Sequence, residues 1–490
     1  MKANCCIFFD VGRAERSSFL LYLCKGMNSK NKEILRLALP AIVSNITVPL
    51  LGLVDTTITG HLGKTAYIGA VSVGATLFNM IYWNFGFLRM GTSGQTAQAY
   101  GRNDHEGMAN ALFRSLFFSA MFSVVIWLLQ WPLTMAAFHL MDTTPEVEQN
   151  ALVYFHICIW GAPAVLGMYS LKGWFIGMQN TRYPMIVAIS INLVNILTSL
   201  GLVYGLGWKI EGVAAGTLAA QYAGLAIGCA LWRQKYRQYW GHLNIGSALK
   251  KDELKGFFKL NGGIFLRTLC LNAVMSFFTF AGAHQGETLL AVNVLLMQLF
   301  NLFSYFTDGF AYAGEALVGK YTGAQNKEER DNSIRLIFHW GWGLVAVFTL
   351  LYLTGAEPFL HLLTDLEDVR RAASDYYYWV LLVPVCGFAA FLWDGIMVGA
   401  TAIKPMITAT FLASVVFFLL YFILHQHLDN HALWIAFLCY LATRGLVHTL
   451  MLMANTPGQL CAMAMMSRNS SRCIQRWRST TSDSMRGIMA

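Results

Sequence analysis

Charge is what this sequence has least of. Of its 490 residues only 12% are Asp, Glu, Lys or Arg, against 56% that are hydrophobic. A soluble chain of this size carries about twice that charged fraction, so an ordinary solvated globule is excluded. Catalytic signatures are missing as well: there is no HExxH, no GxSxG and no paired His motif inside an apolar stretch. His425, Gln426 and His427 stand together, but at the end of such a stretch beside a loop. The phosphate-cradling GxxxxGKS/T is also absent, so ATP is not the direct energy source, and an enzyme is not expected. The ten cysteines form no CxxC and no Cys/His cluster. Cys158, Cys229, Cys270, Cys386 and Cys439 lie in apolar runs, where cysteine acts as a small hydrophobe. No small-residue cleavage site follows the short apolar run 19–24, so a cleaved leader is not expected.

What the chain does have is apolar stretches of the length a helix needs to cross about 30 Å of hydrocarbon at about 1.5 Å per residue. Residues 116–131, 185–204, 213–232, 336–353 and 405–424 are examples. Inside lipid the backbone must bond to itself, so these read as helices. Twelve spans are expected, near 35–60, 66–98, 109–132, 149–178, 183–205, 212–233, 256–281, 288–319, 334–354, 373–398, 405–425 and 432–455. The net charge of +9 then sorts by loop rather than marking a nucleic-acid partner. One side collects Lys30, Lys32, Arg102, Arg182, Arg233, Lys250, Lys251, Lys320, Lys327, Lys404 and the Arg residues of both ends, while the other holds only Lys64, Lys209, Arg370 and Arg371. That is the positive-inside pattern, and it predicts a multi-pass protein of the plasma (inner) membrane with both termini cytoplasmic.

The chain repeats itself. Leu77-Phe78-Asn79 recurs as Leu299-Phe300-Asn301 and Gly101 as Gly323, both at an offset of 222. Gly86-Phe87 with Gly91 recurs as Gly309-Phe310 with Gly314, and Gly60-His61 aligns with Ala283-His284, at 223. Gly173 and Gly177 return as Gly395 and Gly399 at 222, and Pro163 returns as Pro384 at 221. Six spans per repeat bring the second half back in the same orientation. The expected fold is therefore all-α integral membrane, with two six-helix bundles related by a pseudo-two-fold along the membrane normal. The division reads as an N-terminal extension 1–29, an N-lobe 30–233, a cytoplasmic linker 234–253, a C-lobe 254–456 and a tail 457–490. Met27 would make a natural start.

An ionisable side chain at mid-bilayer costs about 2.5–3.5 kcal/mol on insertion scales, so the few that occur are candidates for function. The acids are Asp55, Asp308, Glu315 and Asp394; the cations at similar depth are Arg89, Lys172, Arg267 and Arg444. Asp55 sits in LVDTTITG among apolar and hydroxyl residues. A carboxyl group sheltered there can hold a proton or Na+ and exchange it for a substrate. Asp308-Gly309 and Asp394-Gly395 are matching pairs, and their acids are secondary candidates, expected to form structural ion pairs with Arg267 or Arg444. Met168, Tyr169, Trp174 and Met178 are weak candidates for an adaptable pocket.

The stretch LALPAIVSNITVPLLGLVDTTITGHLG (37–63), the AYGRND loop (99–104), the repeated glycine blocks and FLWDGIMVGAT (391–401) together resemble the multidrug and toxic compound extrusion (MATE) family, in its DNA-damage-inducible protein F branch. The resemblance covers residues 30–455. It implies a cation-coupling group made of Asp55, Asn195, Thr217, Tyr154 and the Ser199 position, with a helix-bending hinge at Pro40. Two positions depart from the branch: Ser199 stands where a second Asp is common, and Leu51 where a Tyr often precedes the first-helix acid. Fewer acidic ligands favour H+ over Na+ slightly, with any metal limited to Na+ at Asp55 and no other cofactor.

The resulting expectation is a secondary antiporter, monomeric in the lipid bilayer, that exports amphiphilic or cationic small molecules in exchange for H+ or Na+. A flippase for lipid-linked oligosaccharide is the alternative. It would need a cationic central cavity, and the repeated blocks are not basic.

Overall fold

A chain in hydrocarbon has no water to bond to, and this one meets the requirement with helices. The computed structural model describes residues 29–62, 64–140, 144–364 and 366–455; these contain helices and turns and no strand. In chain order the spanning helices are α1 (Ser29–Gly60), α2 (Thr65–Gly101), α3 (His105–Leu128), α4 (Pro145–Gly177), α5 (Arg182–Gly205), α6 (Ile210–Tyr236), α7 (Lys251–His284), α8 (Glu287–Gly323), α9 (Lys327–Leu363) and α10 (Glu367–Gly399). Short 3-10 turns interrupt α2 at Asn84–Gly86 and α4 at Ile159–Gly161. A final run, Ile403–Asn455, has 53 residues. At about 1.5 Å each it would reach about 80 Å, far more than one bilayer. It is broken at Asp429 (φ 42°, ψ −122°) into α11 (403–428) and α12 (430–455). Among the described residues, the eleven helical runs that are long and apolar enough to cross a membrane thus hold twelve spans.

The repeat is written into the backbone. Asp104 caps α3 by accepting from the Gly107 N–H at 2.8 Å, and Asn326, 222 residues later, caps α9 by accepting from Glu329 N–H at 3.1 Å. The residue before each cap has a positive φ, 54° at Asn103 and 55° at Gln325. Gln179 (φ 60°) and Thr401 (φ 52°) are a second such pair at the same spacing.

The lobes are α1–α6 and α7–α12. Within each, glycines let helix backbones touch: a methyl group on Gly173 would strike the Arg89 carbonyl, and one on Gly395 the Ala311 carbonyl. Between lobes, α8 packs on α1 and α2. Gly101 of α2 abuts the Lys320 carbonyl and Gly323 of α8 abuts the Gln98 carbonyl, a reciprocal contact made by the two-fold. The same end carries Lys320 Nζ–Glu33 Oε1 (2.9 Å), Lys30 bonded to Tyr321 and paired with Glu329, and Gln98 Nε2 donating to the Gly399 carbonyl (3.0 Å). The lobes therefore meet tightly at the face bearing the cation-rich loops.

Aromatic side chains fill the lobe interiors, with Phe303, Phe417, Trp434 and Tyr440 buried in the C-lobe and Phe155 and Trp174 in the N-lobe. Leu53, Leu197, Val347, Leu350, Phe411 and Ile423 are exposed, as side chains facing acyl chains are. The inter-lobe linker is pinned to α3. The buried Arg114 donates to the Ala248 carbonyl (2.9 Å) and pairs with Glu253 (2.8 Å). The N-terminal extension through residue 28 and the tail from 457 lie outside the described residues.

Candidate cation-coupling site in the N-lobe

Four polar residues follow one another on the last turns of α1, and the helix absorbs three of them. Thr56 Oγ1 donates to the Gly52 carbonyl (2.8 Å), Thr57 Oγ1 to Leu53 (2.7 Å) and Thr59 Oγ1 to Asp55 (2.9 Å). Thr59 is buried as well, but its hydroxyl is taken up by the helix; Asp55, 5% exposed, turns its carboxylate to the side chains of the neighbouring helices. Thr217 of α6 donates its hydroxyl to Asp55 Oδ2 at 3.2 Å and accepts from Asn195 Nδ2 of α5 at 3.0 Å. The Asn195 amide also lies against the carboxylate. Tyr154 of α4 closes the pocket from the side, its hydroxyl facing Thr217 and Cys158 and its ring edge-on to Phe78 at 6.4 Å. Ser199, one turn beyond Asn195, is fully buried against Gly216, next to Thr217, and makes no hydrogen bond.

Two features set the chemistry. No described cation pairs with Asp55. Three oxygens here are buried without a donor: Asp55 Oδ1, Asn195 Oδ1 and Ser199 Oγ. A carboxyl lined by Thr217 and Asn195, with no described positive neighbour, suits a small cation. A proton would neutralise the carboxyl; a Na+ ion would draw on the same oxygens.

Pro40 is buried in α1, fifteen residues before Asp55. Its ring removes the hydrogen bond to the Arg36 carbonyl, and α8 presses on the helix there, Gly309 lying against Ile42 and the Ala38 carbonyl.

At the centre of the molecule the acids behave differently. Asp394 Oδ2 takes both guanidinium groups, Arg444 Nη2 at 2.7 Å and Arg267 Nη2. Glu315 pairs with Arg89 across the lobes at 3.1 Å. Asp308 departs from the expected ion pair. Among the described residues it has no hydrogen-bond or salt-bridge partner, because Arg267 and Arg444 both converge on Asp394, though it stands in the field of those arginines and of Arg89. The weak pocket candidates separate too: Trp174 and Met178 belong to an N-lobe core with Tyr236, whereas Tyr169 faces Arg89 and Tyr312.

Sequence reasoning missed His448, buried beside Asp394, Arg267 and Arg444; its signal was its place one turn after Arg444 on α12. It also missed the buried reciprocal pair Asn293–Asn430 (2.8 and 3.0 Å), which Trp434 Nε1 joins at 2.9 Å. Lone amides in apolar runs carry no pairing signal.

The MatE family model matches this chain twice, over residues 40–200 and 264–423. The chain belongs to the MatE family. Among curated MatE relatives, it is 36% identical over 435 residues to the DNA damage-inducible protein F of Escherichia coli, covering 88% of this chain and 94% of that one. It is 25% identical to a probable multidrug resistance protein NorM of Thermotoga maritima, over 68% of this chain and 72% of that one. The fold matches a MATE crystal structure in the bent conformation with a TM-score of 0.77, at 20% identity and over 89% and 98% of the two chains. The two matched stretches start 224 residues apart, close to the offset of the internal repeat.

Proposed function

We propose that this MatE protein is an antiporter that exports amphiphilic small molecules and takes up H+, or Na+, at Asp55. The observation that carries the reading is a buried carboxyl whose neighbours are hydroxyl and amide groups and which has no countercharge. A permanent ion pair would hold Asp55 in one state; a hydroxyl and an amide allow it to be filled and emptied. The relatives' names, multidrug resistance and damage-inducible, support export of foreign or harmful compounds.

In this reading the cation-rich face is cytoplasmic and the protein lies in the inner membrane. Asp55, Asn195, Thr217 and Tyr154 then occupy the outer half of the N-lobe. An ion entering from outside changes the charge of Asp55, α1 repacks about its Pro40 defect, and the substrate leaves outward. The ion's electrochemical gradient supplies the work, because filling the site and releasing the cargo are linked equilibria.

The deciding experiment is efflux from proteoliposomes under separately imposed pH and Na+ gradients. Export driven by either gradient in the wild type, and reduced to background in Asp55→Asn at equal expression, is the expected result. Wild-type rates in Asp55→Asn would remove Asp55 from the mechanism.

A further inference from the structure

Ions inside a membrane protein are normally matched to partners, since an unmatched one bears its full desolvation cost. The centre of this molecule holds four cations, Arg89, Lys172, Arg267 and Arg444, against three acids, Asp308, Glu315 and Asp394. Arg267 and Arg444 are committed to Asp394. Arg89 is committed to Glu315 and lies over the Tyr312 ring, 4.5 Å from its centroid. Asp308 forms no described salt bridge, but it stands in the field of Arg89, Arg267 and Arg444, so the cation left without an acid is Lys172. Among the described residues it has no hydrogen-bond or ion-pair partner, it is partly exposed, and the charged group it faces is Arg89, of its own sign.

The internal symmetry sharpens the anomaly. Gly173 and Gly395 hold equivalent places, each pressed on a carbonyl of the neighbouring helix, Arg89 and Ala311. The residues before them, Lys172 and Asp394, are therefore two-fold counterparts. Asp394 is enclosed by two arginines of its own lobe; its mirror position carries the opposite charge and nothing to balance it. Tyr169, one turn before Lys172 on α4, faces Arg89 of α2 and Tyr312 of α8, so Lys172 lies beside the junction of these three helices.

We propose that Lys172, backed by Arg89, is a headgroup subsite for amphiphiles carrying an acidic group (carboxylate, sulfonate or phosphate), with the apolar body resting on the Tyr169 and Tyr312 rings. The assignment names the cargo class of the antiporter and rests on that reading. A cationic amphiphile at this place would meet the unpaired Lys172 ammonium, Arg89 being neutralised by Glu315; an anion supplies the missing countercharge and a charge-assisted hydrogen bond. The same chemistry fits a free organic anion or the phosphate of a lipid.

Pyrenebutyrate and pyrenebutyl trimethylammonium share an apolar body and differ in sign. Their Kd values for the full-length protein in detergent should favour the anion. Lys172→Gln should weaken pyrenebutyrate about tenfold, the loss of one charge-assisted hydrogen bond, while leaving the ammonium probe unchanged or tighter. Lys172→Arg should restore the anion. An unchanged pyrenebutyrate Kd in Lys172→Gln, or a wild type that prefers the ammonium, overturns the proposal. In proteoliposomes, Lys172-dependent efflux of pyrenebutyrate from the lumen supports a soluble source, and Lys172-dependent transfer of pyrene-labelled phosphatidate between leaflets supports a lipid source. Transport of neither overturns the cargo assignment. The Asp55→Asn export measurement is independent of these Kd values, so loss of the antiport reading and loss of the subsite are separable.

Discussion

Thr217 is both donor and acceptor, giving its proton to Asp55 Oδ2 and receiving one from Asn195. Thr217→Val keeps the shape and removes the oxygen, so the buried Asn195 amide loses its acceptor. A loss of about 1–3 kcal/mol is expected, seen as a lower thermal midpoint in detergent, and Thr217→Ser should recover most of it. The same midpoint reads the central cluster. Arg444 and Asp394 are buried and bonded at 2.7 Å. Arg444→Gln should destabilise by about 3 kcal/mol, because Asp394 stays buried with half its compensation gone. A variant at Lys172 should leave the midpoint unchanged or raise it, since no described group depends on that ammonium and its desolvation cost is removed. Equal losses at Arg444 and Lys172 would contradict this division between structural and ligand-facing charge.

Among the helices, α2 and α8 set how closely the lobes approach. Where they cross, Gly101 and Gly323 each lie on a carbonyl of the opposite lobe. A larger side chain at either position must push the backbones apart. Gly323→Leu is therefore expected to prop the cation-rich face open and to stop export with the protein still folded. Labelling of a cysteine introduced at Ala324 by a membrane-impermeant reagent, faster in Gly323→Leu than in the wild-type background, is the measurement. Unaltered labelling with unaltered export would show that the close crossing is not needed for closure.

For the whole molecule, closure at that face also has an electrostatic seal, Glu33–Lys320 and Lys30–Glu329, joining α1 to α8 and α9. These pairs are only part-buried, so each is worth about 1 kcal/mol or less. Glu33→Lys should raise the labelling of the same reporter cysteine by a few-fold, and Glu33→Lys combined with Lys320→Glu should return it towards wild type. An effect of the double variant larger than that of the single one would show that the charges act separately.

Composition and periodicity determined a great deal by themselves. Apolar length fixes where helices must run, since hydrocarbon leaves the backbone no other partner. The constant offset between glycine blocks determines two lobes in the same orientation, and the caps Asp104 and Asn326 carry that symmetry down to single hydrogen bonds. Asp55 was legible as an acid among apolar neighbours, whereas its grouping with Asn195, Thr217 and Tyr154 came from the family resemblance, with which their depth agrees. Tertiary structure decided the rest. Whether an acid has a counterion depends on which helices are neighbours, and sequence spacing does not encode that. Asp308 and Asp394 begin similar dipeptides, yet both arginines converge on Asp394, which leaves Asp308 without a salt bridge. In sequence Lys172 is one more cation at membrane depth; the packing of α2, α4 and α8 makes Arg89, of its own sign, the described charged group that it faces.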